Sequence, residues 1–277
     1  MEVELQSSAK INLALDVLGE RDDGYHDIDT IMQEIDLFDV ITIEPGRGGF
    51  VLTCDNPDLP LDEDNLVYRA WDLLREKTTN DSVNINIKKR IPIAAGLAGG
   101  SSNAASTLIG LNKLWDLELS TRELEQIAES IGSDVPFFIQ GGTQRARGRG
   151  EILQPLTGYR GRFVLLVNIG QPISSRYVYE HVKVNGSLQM DELVRYMDAD
   201  SPKAYSLMQN QLETVSFEAI PRLKEIKNEI LQLGANVALM SGSGPTVFGL
   251  FESKEPALQA EKAMKGRFPL TFMTTTI

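Results

Sequence analysis

Pro92-Ile-Ala-Ala-Gly-Leu-Ala-Gly-Gly-Ser-Ser-Asn-Ala-Ala105 is the stretch of this 277-residue chain that decides its reading. It places Gly96, Gly99 and Gly100, then the paired hydroxyls of Ser101 and Ser102, ahead of an alanine-rich helix start. Glycine lets a backbone approach a ligand closely and adopt positive φ. The N-terminus of the following helix offers unpaired N–H groups and a partial positive charge. Together these features make a site for phosphate. The loop is not a Walker A motif, since no Gly-Lys-Ser/Thr follows, and it lacks the Gly-x-Gly-x-x-Gly spacing of a dinucleotide fold. The motifs that accompany a protein-kinase glycine loop are also absent. Taken alone, a packing or turn role is the plain alternative.

Around that loop the patterning alternates between strand and helix. Residues 2–6, 11–18, 35–44 and 50–53 read as strands, and Val83, Ile85 and Ile87 alternate cleanly along 83–87. A helix is expected over 65–77, with Leu66, Val67, Ala70, Leu73 and Leu74 on one stripe. Ala104, Ala105, Leu108 and Leu111 continue the glycine loop as a buried helix. Ser120 and Glu123 make a capping box for the next one, which Gly132 is placed to end. Residues 145–162 are rich in Gly and Arg and carry Pro155, so a boundary is expected near 155–162, giving domains 1–158 and 159–277. Beyond it come a strand at 163–168, helical patterns over 175–233, strands at 236–240 and 246–251, a helix near 255–266 and a strand at 270–277. With the helical insertion collapsed, the order is β-α-β-β-α-β, as in a ferredoxin-like domain. The fold class expected is α+β in two domains.

Composition narrows the function. A net charge of -12 and a pI near 4.7 argue against nucleic acid or an anionic membrane as the main partner. A small anionic ligand stays open, because one local basic pocket can outweigh the global field. One cysteine, Cys54, excludes an intrachain disulfide, and two histidines exclude a multi-His zinc site. No apolar run reaches the roughly 20 residues needed to span a bilayer, and the first residues lack the pattern of a signal peptide. A cytoplasmic protein is expected.

Two further segments carry chemistry: Ser8-Ala9-Lys10-Ile11-Asn12-Leu13, and the turn Ser241-Gly242-Ser243-Gly244-Pro245-Thr246 between two strands. With Asp23-Gly24-Tyr25-His26, Ala95 to Ala105, Gly132-Ser133-Asp134-Val135-Pro136-Phe137-Phe138 and Met240 to Phe248, the chain resembles the GHMP kinase superfamily over nearly its whole length. Asp-Gly-Tyr-His is the most specific piece and points to the branch acting on a CDP-linked methylerythritol. The resemblance implies an N-terminal domain like ribosomal protein S5 domain 2 and a ferredoxin-like C-terminal domain. It implies ATP as co-substrate with Mg²⁺, and transfer of the γ-phosphoryl group to a 2-hydroxyl in the non-mevalonate isoprenoid pathway.

On that resemblance Asp134 is the candidate base, accepting the alcohol proton and orienting its oxygen; the plain reading is a helix N-cap, and both can hold. Lys10 is the candidate partner, since a nearby lysine keeps a carboxylate ionised and stabilises developing charge; otherwise it is an exposed lysine. Asn12 is expected to bond substrate or a neighbouring loop. Tyr25 and His26 would hold the cytosine through a π-face and a polar edge, with Tyr179 as second aromatic. The alternatives are a turn that packs Tyr25 in the core, and ordinary helix packing for Tyr179. Pro92, Ile93, Ala94, Ala95, Gly96, Leu97, Ala98, Gly99 and Gly100 would line the ATP phosphates. Ser101 and Ser102 would contact phosphate or Mg²⁺, or simply cap the helix. Asn65 is read near the adenine, or as a cap alone. No acidic residue is tied to the metal by motif, and His181 reads as structural or exposed.

Two departures stand out. Ala98 replaces the first glycine of the triplet common in this family; an ordinary φ is expected there, since positive φ would strain alanine. The run Arg145-Ala-Arg147-Gly-Arg149-Gly-Glu151 is unusually basic; it could attract a phosphate, and is read as a solvated loop. The rival functions are another kinase of the superfamily, acting on homoserine, mevalonate or a sugar, and a nucleotide-binding regulator without catalysis. Asp-Gly-Tyr-His argues against the first, and retention of Lys10 and Asp134 against the second.

Overall fold

Two long strands open the chain: β1 (Val3–Glu20) and β2 (His26–Pro45), which pair with each other. The computed structural model describes residues 2–277. The strands expected at 2–6 and 11–18 are one, because the polar residues between them are buried and bonded. Ser7 Oγ lies 2.8 Å from Ser102 Oγ, and Lys10 Nζ donates to Asn12 Oδ1 at 2.7 Å. β2 likewise starts well before residue 35. The turn between them is the one expected at Asp23-Gly24: Gly24 has φ +80° and donates to Arg21 O at 3.0 Å, while Arg21 N donates to Tyr25 O.

The elements that follow are β3 (Phe50–Cys54), α1 (Leu66–Leu74), β4 (Val83–Lys88), α2 (Gly99–Leu114), α3 (Thr121–Ile131), α4 (Phe137–Gln140), β5 (Thr143–Gly148), β6 (Ile152–Pro155) and β7 (Phe163–Asn168). Then come α5 (Ser175–His181), α6 (Met190–Asp198), α7 (Ala204–Leu207), α8 (Glu213–Ala219), α9 (Pro221–Gln232), β8 (Val237–Met240), β9 (Thr246–Phe251), α10 (Lys254–Lys265) and β10 (Leu270–Thr275). They fall into two units. The first takes the residues up to Ala9, Leu37–Ile93 and Ala98–Gly141; the second takes Lys10–Asp36, Ala94–Leu97 and Gly142–Ile277.

In the first unit β4 runs antiparallel to β2, Val40 facing Lys88, and β3 runs parallel to β4, Phe50 facing Val83. Val83, Ile85 and Ile87 are buried, as their alternation requires, and Ile41 and Ile43 share that core. Helix α2 lies directly on this face: a Cβ on Gly110 would meet Ile43 Cδ1 at 2.5 Å and Leu5 Cδ1 at 3.1 Å. Helices α1, α3 and α4 pack against α2. The Ser120–Glu123 capping box of α3 is present as expected.

In the second unit, the order β10-β7-β9-β8 is antiparallel throughout, with Phe163 facing both Thr275 and Phe251. That is the ferredoxin-like order expected from β-α-β-β-α-β. Leu165, Val167, Met240 and Val247 from this sheet bury against Leu223, Ile226 and Ile230 of α9 and Ala257, Ala260 and Met264 of α10.

The arginine run corrects the sequence reading. Only its end is a loop: residues 143–148 form β5, paired with β2 from Ile28–Gly148 to Gln33–Thr143, β6 pairs with β5, and Arg149 lies in the turn between them. Arg145 is buried. Its guanidinium donates twice to Asp29, at 2.8 and 2.6 Å, and once to Asp191 of α6 at 2.5 Å. The two carboxylates raise the Arg145 pKa further, Asp29 most, and Arg145 in turn holds Asp191 below the usual carboxylate range. Glycine-rich spacing hides this strand from a periodicity reading, because an arginine pointing inward looks polar until its partners are known. Removing one member of a buried pair leaves the other charge uncompensated. Arg145→Met is therefore expected to cost about 3 kcal/mol in urea unfolding, with Arg147→Met within about 0.5 kcal/mol of the parent. Equal small losses would show that the Asp29 pair is not structural.

Candidate active site

The glycine loop is shaped by crowding on one side and openness on the other. Ala98 stands at the N-cap of α2 with φ +54° and ψ +31°, so the ordinary φ expected there is wrong; Ala94 is also left-handed, with φ +51°. Gly99 is crowded: a Cβ there would stand 3.0 Å from Ile91 Cγ2 and 3.1 Å from Lys89 Nζ. Gly100 by contrast is exposed, its nearest neighbour Leu66 Cδ1 at 3.9 Å, which leaves its backbone open to a ligand. Beneath the helix start, buried Asp39 accepts from Lys89 Nζ at 2.5 Å, Arg90 N at 2.7 Å, Ile91 N at 2.9 Å and Asn103 Nδ2 at 2.9 Å. Asn103 also donates to Ser7. Ser102 is turned into this network and buried, whereas Ser101 is half-buried. Pro92 is half-buried, Ile93 and Ala94 are exposed, and Ala95 and Leu97 are buried. Asn65 caps α1: its Oδ1 accepts from Val67 N at 2.9 Å and its Nδ2 donates to Pro60 O at 2.6 Å. The cap reading of Asn65 is thus borne out by the geometry.

In the second unit, Lys10 and Asn12 meet the Ser-Gly-Ser-Gly-Pro turn. Asn12 Oδ1 accepts from Lys10 Nζ at 2.7 Å and from Gly242 N at 3.0 Å, which fills both lone pairs; its Nδ2 donates to Thr30 Oγ1 at 2.9 Å. Asn12 therefore binds the neighbouring turn, one of its two expected roles. Lys10 is buried, not the exposed lysine of the alternative. Gly96 touches the same turn: Ser241 Oγ donates to Gly96 O at 2.8 Å, and a Cβ on Gly96 would stand 2.3 Å from Ser241 O and 2.9 Å from Gly244 O. The turn itself has Gly242 at φ +55° and Gly244 at φ +92°, and the Gly244–Pro245 peptide is cis. Its Gly242 and Gly244 amides are taken, by Asn12 and by Ser241 O.

Asp134 sits half-buried in the turn Ser133–Pro136 that joins α3 to α4. The N-cap of α4 is Pro136, and no side chain caps that helix, so the cap alternative for Asp134 does not hold. Two of the cytosine candidates, His26 and Tyr179, come together in the second unit. His26 and Tyr179 have ring centroids 5.5 Å apart, tilted by 37°. Tyr25 is 55% exposed and so is not packed in the core. His181 is exposed, its Nδ1 2.8 Å from Tyr177 O.

Several residues of this site carry no motif. Asn210 Nδ2 donates to Met240 O at 2.7 Å and Gly242 O at 2.8 Å, and Ser216 Oγ donates to Ser243 O at 3.1 Å. Glu213 Oε1 accepts from Met240 N at 2.8 Å; burial pushes its carboxyl up, and Lys227 at 2.5 Å partly offsets that. All sit in the helical insertion, where sequence shows only helix periodicity. Thr30, Asp39 and Lys89 are equally silent.

With this geometry in hand, the comparisons converge. The family model described as "GHMP kinases N terminal domain" matches residues 65–142, and "GHMP kinases C terminal" matches 193–270. A 4-diphosphocytidyl-2-C-methyl-D-erythritol kinase of Alkaliphilus metalliredigens is 43% identical over 91% of this chain and 89% of its own length. The kinase of that name from Caldanaerobacter subterraneus subsp. tengcongensis is 39% identical over 100% of this chain and 98% of its own. A crystal structure of 4-(cytidine 5'-diphospho)-2C-methyl-D-erythritol kinase superposes with TM-score 0.84 at 33% identity, covering 99% of each chain. The homoserine kinase of Cytophaga hutchinsonii, with TM-score 0.77 and 17% identity over 100% of this chain and 94% of its own, shares the fold. The chain belongs to the GHMP kinases and, among them, to the family of the 4-diphosphocytidyl-2-C-methyl-D-erythritol kinases. Its α+β architecture is the two-domain GHMP kinase fold. Among the described residues no helix is long and apolar enough to cross a membrane.

The backbone of the loop gives a direct test. Gly96→Ala places a methyl against backbone oxygens at left-handed φ, and is expected to cost about 2 kcal/mol or more. Ala98→Gly relieves alanine of its left-handed φ, roughly 1 kcal/mol, and loses part of that to chain entropy, leaving a gain of about 0.5 kcal/mol. Denaturant midpoints that shift in the same direction would refute this account.

Proposed function

We propose that the chain transfers the γ-phosphoryl group of ATP to the 2-hydroxyl of 4-diphosphocytidyl-2-C-methyl-D-erythritol, in the methylerythritol phosphate route to isoprenoid precursors. Full-length similarity to kinases of that name supports the reading. The observation in the structure that carries it is the aromatic group of His26, Tyr179 and exposed Tyr25. A pyrimidine has a π-face for such rings and a polar edge for the His26 imidazole. Homoserine and mevalonate have no ring to place there.

In this reading Asp134 accepts the proton of the 2-hydroxyl as its oxygen attacks the γ-phosphorus. The bond to the bridging oxygen breaks and ADP leaves with the electron pair. Lys10, held by Asn12, stabilises charge that develops on the transferring group. The loop from Pro92 to Ser101 binds the ATP phosphates, with the exposed backbone at Gly100 and the α2 N-terminus as donors. Ser102 and Asn65 act indirectly, holding the starts of α2 and α1.

Among the described residues no cluster of three or more His, Cys, Asp or Glu is arranged to hold a metal. Mg²⁺ would arrive on the ATP phosphates, as an ion that keeps its waters and needs few protein ligands; Ser101, half-buried at the start of α2, would offer the hydroxyl. When bound, Mg²⁺ neutralises charge on the β- and γ-phosphates. We take the phosphate loop and Asp134 to belong to a domain spanning 1–158 and the ferredoxin-like sheet to one spanning 159–277. We place the enzyme in the cytoplasm, where the ATP pool it draws on lies.

Purified protein with ATP and Mg²⁺ is expected to phosphorylate the CDP-linked tetritol and to leave mevalonate and homoserine untouched; comparable turnover of either rival sinks the assignment. Asp134→Asn is expected to lower kcat by about 10²-fold or more while ATP still binds. A kcat near that of the parent would mean that Asp134 is not the base.

A further inference from the structure

The proposed chemistry leaves Arg149 unused. It sits in the tight turn between β5 and β6, where Gly148 and Gly150 take φ +70° and +120°. Its N–H donates to Glu151 Oε2 at 2.6 Å, and its Nε lies 3.9 Å from Glu151 Oε1. The strand leading into the turn is pinned to β2 by the Arg145–Asp29 pair and by the Ile28–Gly148 register. The turn is thereby delivered to the end of β2, where Tyr25 and His26 begin. There the Arg149 guanidinium carbon stands over the Tyr25 ring, 5.1 Å from its centroid. The neighbouring His26 ring is paired with Tyr179.

We infer that Arg149 is a positioning residue for substrate specificity: its guanidinium covers one face of Tyr25 and holds the ring for a pyrimidine on the other. A tyrosine 55% exposed at a turn would otherwise sample several rotamers. A stacked guanidinium removes that freedom before the ligand arrives, so less ordering is left to binding. Arginine suits this task better than lysine because a planar guanidinium can stack on an aromatic face. The inference rests on the cytidine reading above.

The test is steady-state kinetics of Arg149→Met and Arg149→Lys, each in the parent and in Tyr25→Ala, with calorimetric binding of CDP alongside. Arg149→Met is expected to raise KM for the cytidine substrate roughly 3- to 10-fold and to weaken CDP equally, with kcat and KM for ATP within about twofold. Arg149→Lys is expected to fall between parent and Met. In the Tyr25→Ala background, Arg149→Met is expected to add less than about twofold, because its effect runs through the ring. An undiminished effect in that background overturns the inference in favour of a direct bond to the substrate diphosphate. Unchanged KM in Arg149→Met, or a loss shared equally by ATP and the cytidine substrate, also overturns it. If the parent itself does not turn over the CDP-linked tetritol, the functional reading falls first; if the parent is active and Arg149→Met matches it, the inference falls alone.

Discussion

The second unit is organised around a place where two backbones touch. Gly96 has no room for a side chain because the carbonyls of Ser241 and Gly244 occupy that space. Everything near the contact is arranged to make it tolerable. Ser241 bonds the Gly96 carbonyl, Asn210 takes the carbonyls on the far side of the turn, and Ser216 takes that of Ser243. Asn12 bonds the Gly242 amide and with the same oxygen holds Lys10. A buried ammonium needs a fixed acceptor, and a buried amide needs a partner. One side-chain oxygen answers both requirements, so the position of Lys10 depends on the shape of a turn far along the chain.

The first unit meets a different constraint. Helix α2 must begin at a left-handed Ala98 while packed on a sheet of Ile and Val. Asp39 solves this from below, gathering Lys89, two backbone amides and Asn103 onto one buried carboxylate. Paired and fully bonded, such a charge is tolerated; with a partner missing it would be costly. The left-handed Ala98 then sits between a rigid support and an open Gly100. Strain at a ligand loop persists when its surroundings over-determine it.

What sequence disclosed divides along the same line. Local patterns were readable: the alternation of Val83, Ile85 and Ile87, the Ser120–Glu123 box, the Asn65 cap, and the strand and helix order of the ferredoxin-like sheet. Lys10, Asp134 and Tyr25 stand out in the sequence because they lie in short distinctive strings. Interactions whose meaning lies in a distant partner were not readable. Arg145 reads as solvated until Asp29 and Asp191 are beside it. Asn210 and Ser216 look like ordinary polar residues of a helical region until the turn they hold is in view. The φ of Ala98 is set by its surroundings, and nothing in the residue itself announces it.

The Asn12–Gly242 bond joins residues 230 apart in sequence, and the Ser241–Gly96 bond joins residues 145 apart. Contacts of such separation carry a loop-closure cost before they return anything, and a chain made on the ribosome meets its N-terminal half first. The strand that bears Lys10 is among the earliest segments made, and the turn that fixes its ammonium is among the last. Until residue 242 has been made, Lys10 cannot be held as it is in the finished enzyme. The surroundings of Lys10 are therefore completed only once this turn has been made, and truncation ahead of the turn would leave the glycine loop's sequence intact without its support.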